Sequence, residues 1–264
     1  MGVQKTFFAF VAVMLWIGQS YAQAPNPPGS QSASKRDLTP DQVIQQFAQK
    51  EAEFYEAWMQ YMYTQTAVIR VVSVNGVPTK ESMRIVTEVV FNDDGTRETR
   101  VLRSSGRLKS VGYTKEDQEI LENINPFALT AKELPLYNLK YQGKEKADEL
   151  DCYVFSVKPK SMKKGKLYFQ GKIWVDDQDL QIVKTVGKAV PQTADNQFPE
   201  FETIRQMIDD KYWFPVWTHA DGNLNFDDVV RIEETITYDN YRRFRTTAKI
   251  VPESPTLSEP EESQ

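Results

Sequence analysis

The chain has 264 residues, 40% of them hydrophobic and 26% charged, enough apolar material to bury a real core in one or two domains. A formal net charge of -5 argues against a general nucleic-acid surface, which needs clustered Lys and Arg. A single cysteine, Cys152, excludes an intramolecular disulfide, and a single histidine, His219, excludes multi-histidine metal centres.

The N-terminus reads as an export signal. Lys5 supplies the positive charge, Phe7 to Ile17 the apolar run, and Ser20 and Ala22 the small residues of a cleavage site after Ala22. That run is short of the ~20 residues of a spanning helix, and no other segment approaches that length, so the expectation is a periplasmic or secreted protein without a membrane span. Residues 23–38 are rich in Pro, Ser and Gln and read as a flexible linker; residues 252–264 form an acidic, disordered tail. The folded unit is placed at residues 39–251.

It opens with a helix. Thr39 is a natural N-cap and Pro40 suits the first helical position. Val43, Phe47, Phe54, Trp58 and Met62 recur at helical spacing, which predicts an amphipathic helix of about six turns with a greasy stripe. From Thr64 the period becomes two. Asn75-Gly76 marks a hairpin, and Met83, Ile85, Val89 and Phe91 share one face of the returning strand. Asn92 to Gly95 turns the chain into a third strand. The segment from Tyr113 predicts a short helix capped by Thr114, followed by loop or short helical pieces around prolines.

Strands then return. "LDCYVFSVKP", "GKLYFQGKIWVD" and "LQIVKTVGKAV" are three, with Cys152 read as a buried structural thiol. "ETIRQMID", "KYWFPVW", "VVRIEETITY" and "YRRFRTTAKI" are the last four. The fold class is mainly β (α+β): a strongly curved antiparallel sheet or half-open β-barrel of about 10–11 strands, with helices over the concave face.

The run "DDKYWFPVW" is apolar on both faces of its strand and contains Pro215, which favours an edge, rim or bulge. Something must cover it, because a wet patch of that size marks an interaction site.

Together with "GKLYFQGKIWVDDQDLQIVKTVG", that run resembles the bacterial outer-membrane lipoprotein-sorting proteins, the LolA-like and LolB-like superfamily. The likeness covers about Gly165 to Arg245; the first half agrees in pattern. The resemblance implies an eleven-stranded half-barrel whose apolar cavity, lidded by helices, shelters acyl chains. No position matches by motif the arginine that locks the lid in the carriers. On this reading Phe54, Trp58 and Met62 form the lid and Phe91, Phe169, Ile173 and Trp213 line the cavity, with lipid or lipoprotein acyl chains as the guest.

Little in the sequence suggests catalysis. His219 lies in "WTHADGN" and reads as a surface or turn residue; no Gly-x-Ser-x-Gly elbow, Walker loop or dinucleotide pattern is present. The acidic clusters sit where tight turns need Asp and Asn, without the spacing of a calcium loop. The expectation is therefore no enzyme, no metal and no cofactor, although two carboxylates assembled from distant strands would leave no local motif. The alternative function is a non-catalytic envelope module on the same fold, with a filled cavity and an envelope protein as partner.

Overall fold

The computed structural model describes residues 38–244 apart from 74, 93, 113 and 195. The export signal, its cleavage site after Ala22, most of the linker, the acidic tail and residues 245–250 of the expected final strand lie outside the described residues.

Helix α1 spans Pro40–Trp58. Its start is the expected one: the Gln42 N–H donates to Thr39 Oγ1 (3.4 Å), and the Thr39 N–H donates to Gln42 Oε1 (2.9 Å). This capping box satisfies two of the otherwise orphaned groups at the helix start. The end corrects the sequence expectation. Helical spacing extends the stripe to Met62, but the chain turns at Met59–Gln60 and Met62 belongs to strand β1 (Tyr61–Val72). Tyr61 and Tyr63 bury themselves at a period of two while Met62 pairs with Arg242, so sheet pairing overrides the helical pattern.

Among the described residues the strands that follow are β2 (Pro78–Phe91), β3 (Arg97–Arg107), β4 (Tyr137–Ala147), β5 (Leu150–Pro159), β6 (Tyr168–Asp176), β7 (Ile182–Val190), β8 (Phe201–Ile208), β9 (Tyr212–Asn225) and β10 (Val229–Arg243). They form one ten-stranded antiparallel sheet in the order β3-β2-β1-β10-β9-β8-β7-β6-β5-β4. Every neighbour is also a hairpin neighbour except β1 and β10, which join the two ends of the domain. The edges β3 and β4 do not pair, so the sheet is open. They are consecutive in the chain, and the segment 108–136 connects one edge to the other. It holds helix α2 (Lys115–Glu119), capped by Thr114 as expected, then a π-turn at Ile120–Ile124 and a 3-10 turn at Leu134–Leu136.

Three strand readings change. Strand β4 is absent from the sequence reading because it is an edge strand, largely exposed on both faces, and carries no alternation. Strand β10 is one strand where two were expected; Asn240 takes φ +58° and lets it bend without ending. Strand β9 runs to Asn225, so His219 sits inside the sheet and not beside a turn. Its Nδ1 lies 3.2 Å from Thr235 Oγ1 and its ring stacks on Trp217.

Other turn chemistry is as expected. Asp209 and Asp210 both take positive φ, as the two central residues of a type I′ turn demand. Pro215 stands at a register shift between β8 and β9, where no ladder donor is required. Gly171 and Gly187 face one another across β6 and β7. A Cβ on Gly171 would strike the Val186 carbonyl, and one on Gly187 would fall 2.7 Å from the Phe169 ring, so both positions need glycine for packing.

One face of the sheet carries α1 and two packed clusters. The first sets Val43, Phe47 and Ala48 against Phe155, Phe169, Ile173 and Ile182. The second sets Phe54, Ala57 and Trp58 against Tyr61, Tyr63, Phe214 and Ile236. The opposite face holds a small third cluster around Cys152, Val154, Trp174 and Val183. Burial pushes the Cys152 thiol up to about 12, as befits an inert structural cysteine.

Candidate functional site

Phe214 answers what covers the aromatic run. It is fully buried and touches five rings: Phe54, Trp58, Tyr61, Tyr212 and Tyr241, with centroids 4.8 to 5.7 Å away. Most of these contacts are edge-on or tilted, the arrangements that aromatic quadrupoles favour. Tyr241 donates its hydroxyl hydrogen to the Pro215 carbonyl at 2.5 Å, and Tyr61 donates to Asp209 Oδ2 at 2.5 Å. The C-terminal half of α1 is the cover.

Beside this box the molecule is hollow. A groove of about 450 Å³ runs between the C-terminal half of α1, the residues 119–137 and the turn before β6. Phe54, Trp58, Phe127, Leu136, Tyr137 and Leu167 supply its apolar surface; Glu119, Glu122, Lys132, Glu133 and Lys166 stand around it. The size falls in the ~300–1,000 Å³ range of pockets for small organic ligands.

A buried ion pair holds the walls of the groove together. Glu51 projects from the apolar side of α1 and is 0% exposed; Arg205 projects from β8 and is 2% exposed. Arg205 Nη1 lies 3.2 and 3.3 Å from the two Glu51 oxygens. The Ile182 N–H donates to Glu51 Oε1 at 3.0 Å. Arg205 Nη2 donates to the Pro126 and Phe127 carbonyls, and its guanidinium lies 4.1 Å over the Phe54 ring. Helix, sheet and connecting segment therefore meet at one charge pair. Burial pushes the Glu51 carboxyl up, and the adjacent guanidinium opposes that shift. Removing one partner of such a pair typically costs 3–5 kcal/mol, since the other charge is left stranded.

The seven residues anticipated from sequence fall into three groups. Phe54 and Trp58 come together on the groove wall. Phe169 and Ile173 lie in the solid first cluster, where Phe169 stacks on Phe127 at 4.4 Å. Met62, Phe91 and Trp213 lie elsewhere. Met62 alternates with the inward Tyr61 and Tyr63, and Phe91 stacks on Phe244 at 4.3 Å. Trp213 packs on the opposite face of the sheet from Phe214 and donates its ring N–H to Asp179 Oδ2 at 3.0 Å.

The sequence reading missed Glu51, Arg205, Phe127 and Tyr137. A signal existed for the ion pair: Glu51 falls between Phe47 and Phe54 on the greasy stripe, and Arg205 follows Phe201 and Thr203 on the inward face of β8. Opposite charges at two core positions ask for each other.

Among the described residues, no group of three His, Cys, Asp or Glu is placed to hold a metal ion, and no helix is long and apolar enough to cross a membrane. No protein-family model and no curated protein matches the chain. Solved structures to which it is similar include a DUF1329 family protein from Desulfovibrio piger, at 14% identity and a TM-score of 0.41 over 78% of this chain and 94% of that one. A LolA superfamily protein from Nitrosomonas europaea matches at 12% identity and a TM-score of 0.35, over 78% and 96%. The Pseudomonas aeruginosa MucA/MucB complex matches at 11% identity and 0.22, over 75% and 99%. At these values the likeness concerns the run of the chain and carries no assignment of ligand or partner.

Proposed function

We propose that the protein is an exported carrier or receptor that binds the acyl chain of a lipid or lipoprotein in the groove between α1 and the residues 119–137. The supporting observation is the groove itself: about 450 Å³, walled by Phe54, Trp58, Phe127 and Leu136, and rimmed by charges of both signs. Each methylene removed from water contributes about 0.8 kcal/mol, so eight of them supply roughly 6 kcal/mol before the costs of association. The function assigns no covalent step and no cofactor. Export rests on the apolar run Phe7 to Ile17, and a mature chain beginning at Gln23 is what N-terminal sequencing of the secreted protein tests.

Native mass spectrometry of the mature protein, with palmitate and a lysophospholipid as probes, tests the binding. One-to-one adducts, weakened by Ala128→Trp within the groove, are expected. Absence of adducts with both probes, together with no rise in melting temperature, rejects the reading.

A second reading, a non-catalytic interaction module with a filled interior, is favoured by the packing beneath the N-terminal half of α1. Phe155, Phe169 and Ile173 are all 0% exposed there, leaving no room for a guest between that half and the sheet. Loss of acyl binding in the experiment above would leave this reading standing.

A further inference from the structure

A second hollow lies apart from the groove. It has a volume of about 120 Å³ and is lined by α2, the π-turn, the residues 196–199 and the inward faces of β1, β7, β8, β9 and β10. Its walls include Ile69, Leu121, Phe198, Phe201, Leu224 and Ile232. Two carboxylic acids, Asp117 and Glu234, stand on this apolar lining, and no Lys, Arg or His does. The Asn125 side chain also lines it. Asn125 is 2% exposed, and its Oδ1 has no hydrogen-bond partner.

A buried amide oxygen without a donor costs about 1–3 kcal/mol. Glu234 likewise has no hydrogen-bond or ion-pair partner among the described residues, and burial followed by the charge of Asp117 pushes it up to about 7. Two of the neighbouring polar groups are already engaged. Asp117 Oδ2 is held by the Thr114 N–H and hydroxyl at 2.6 and 2.8 Å. Gln197 spends its amide on the Asn225 backbone, accepting at 2.7 Å and donating at 2.5 Å. The unmet demand in the hollow is for donors and for positive charge.

We propose that this hollow is a binding site for a small organic amine: an alkylammonium whose nitrogen sits between Glu234 and Asn125 Oδ1, and whose apolar portion lies against Leu121, Phe198 and Leu224. An ammonium has three donors and no acceptor, which matches the two unpartnered acceptors of the hollow, Glu234 and Asn125 Oδ1. The volume limits the guest, since an apolar cavity of about 150 Å³ holds one benzene. The ethanolamine headgroup of a phospholipid fits poorly, because its phosphate would meet the same two carboxylic acids. The site uses different residues from the acyl groove and stands or falls independently of it.

Isothermal titration of the mature protein at about pH 8, where alkylamines are cationic, compares n-butylamine, a smaller guest than benzene, with 1-butanol and butyrate. Butylamine is expected to bind at least about tenfold more tightly than butanol, the margin between charge-assisted and neutral hydrogen bonds, and butyrate not at all. Glu234→Gln, nearly isosteric, should erase that margin while butanol binding and palmitate adducts persist. Equal affinity for amine and alcohol in the wild type overturns the proposal without any variant. So does an undiminished amine preference in E234Q, or dihexanoyl phosphatidylethanolamine binding as tightly as butylamine.

Discussion

The two halves of α1 rest on different ground. Val43, Phe47 and Ala48 in the N-terminal half sit on a solid core built from β5, β6 and β7. Phe54 and Trp58 in the C-terminal half close one side of an aromatic box and border a groove on the other. Glu51 marks the boundary, and its partner Arg205 ties both halves to the sheet and to residues 126–127. One continuous helix thus serves as anchor at one end and wall at the other. Stability and binding should therefore respond to different substitutions along a single element.

The sharpest way to break that division is at the boundary. Arg205→Met leaves Glu51 buried without its charge partner and should cost 3–5 kcal/mol, of the order expected for breaking a buried pair, read as a shift in urea midpoint. The double change with Glu51→Leu should recover most of the loss, because both desolvated charges are then gone. If the single variant unfolds no more easily than the wild type, the clamp holds nothing.

Phe47→Ala probes the anchor and should cost about 3–5 kcal/mol, with acyl binding by the remaining folded molecules unchanged. A large fall in binding at full occupancy of the folded state would contradict the division.

Glu234 distinguishes the second hollow from both halves. Its folded-state value of about 7 lies above the ordinary 4.5, so the folded protein holds this proton more tightly than the unfolded chain does. The contribution is fully present below about pH 4.5 and is lost as pH rises through 7. A decline on the order of 2 kcal/mol over that window is expected, allowing for partial access of solvent. In Glu234→Gln that part of the pH profile should flatten, and a matching decline in both proteins would assign it to other groups.

Leu136→Ser should do least to the fold. Leu136 is 36% exposed on the groove rim, and its replacement should change stability by no more than about 0.5 kcal/mol while weakening palmitate binding several-fold. Unchanged binding would move the guest away from this rim.

Much of the architecture was legible because it is written in short-range signals. The Thr39 cap, the Asn75-Gly76 hairpin, the Thr114 cap and strand β5 stand where local chemistry placed them. Strand β4 was not legible, since an exposed edge strand has no buried face to imprint a period. Met62 was misplaced because helical and strand spacing overlap at the end of a greasy stripe, and only the pairing with β10 decides between them. Site residues were harder. Phe54 and Trp58 reach the groove wall because a helix stripe must face something apolar; Trp213 was assigned inward although Phe214, its neighbour, takes that face.

By itself the amino-acid order determined a mostly antiparallel protein with one capped amphipathic helix, because caps, turns and alternation depend on residues a few positions apart. Only the tertiary structure decided that Glu51 meets Arg205 across 154 positions of chain, and that the space under α1 is filled at one end and open beside the other. Those outcomes depend on how separate surfaces fit in three dimensions, and volume left over between elements is a property of no single segment.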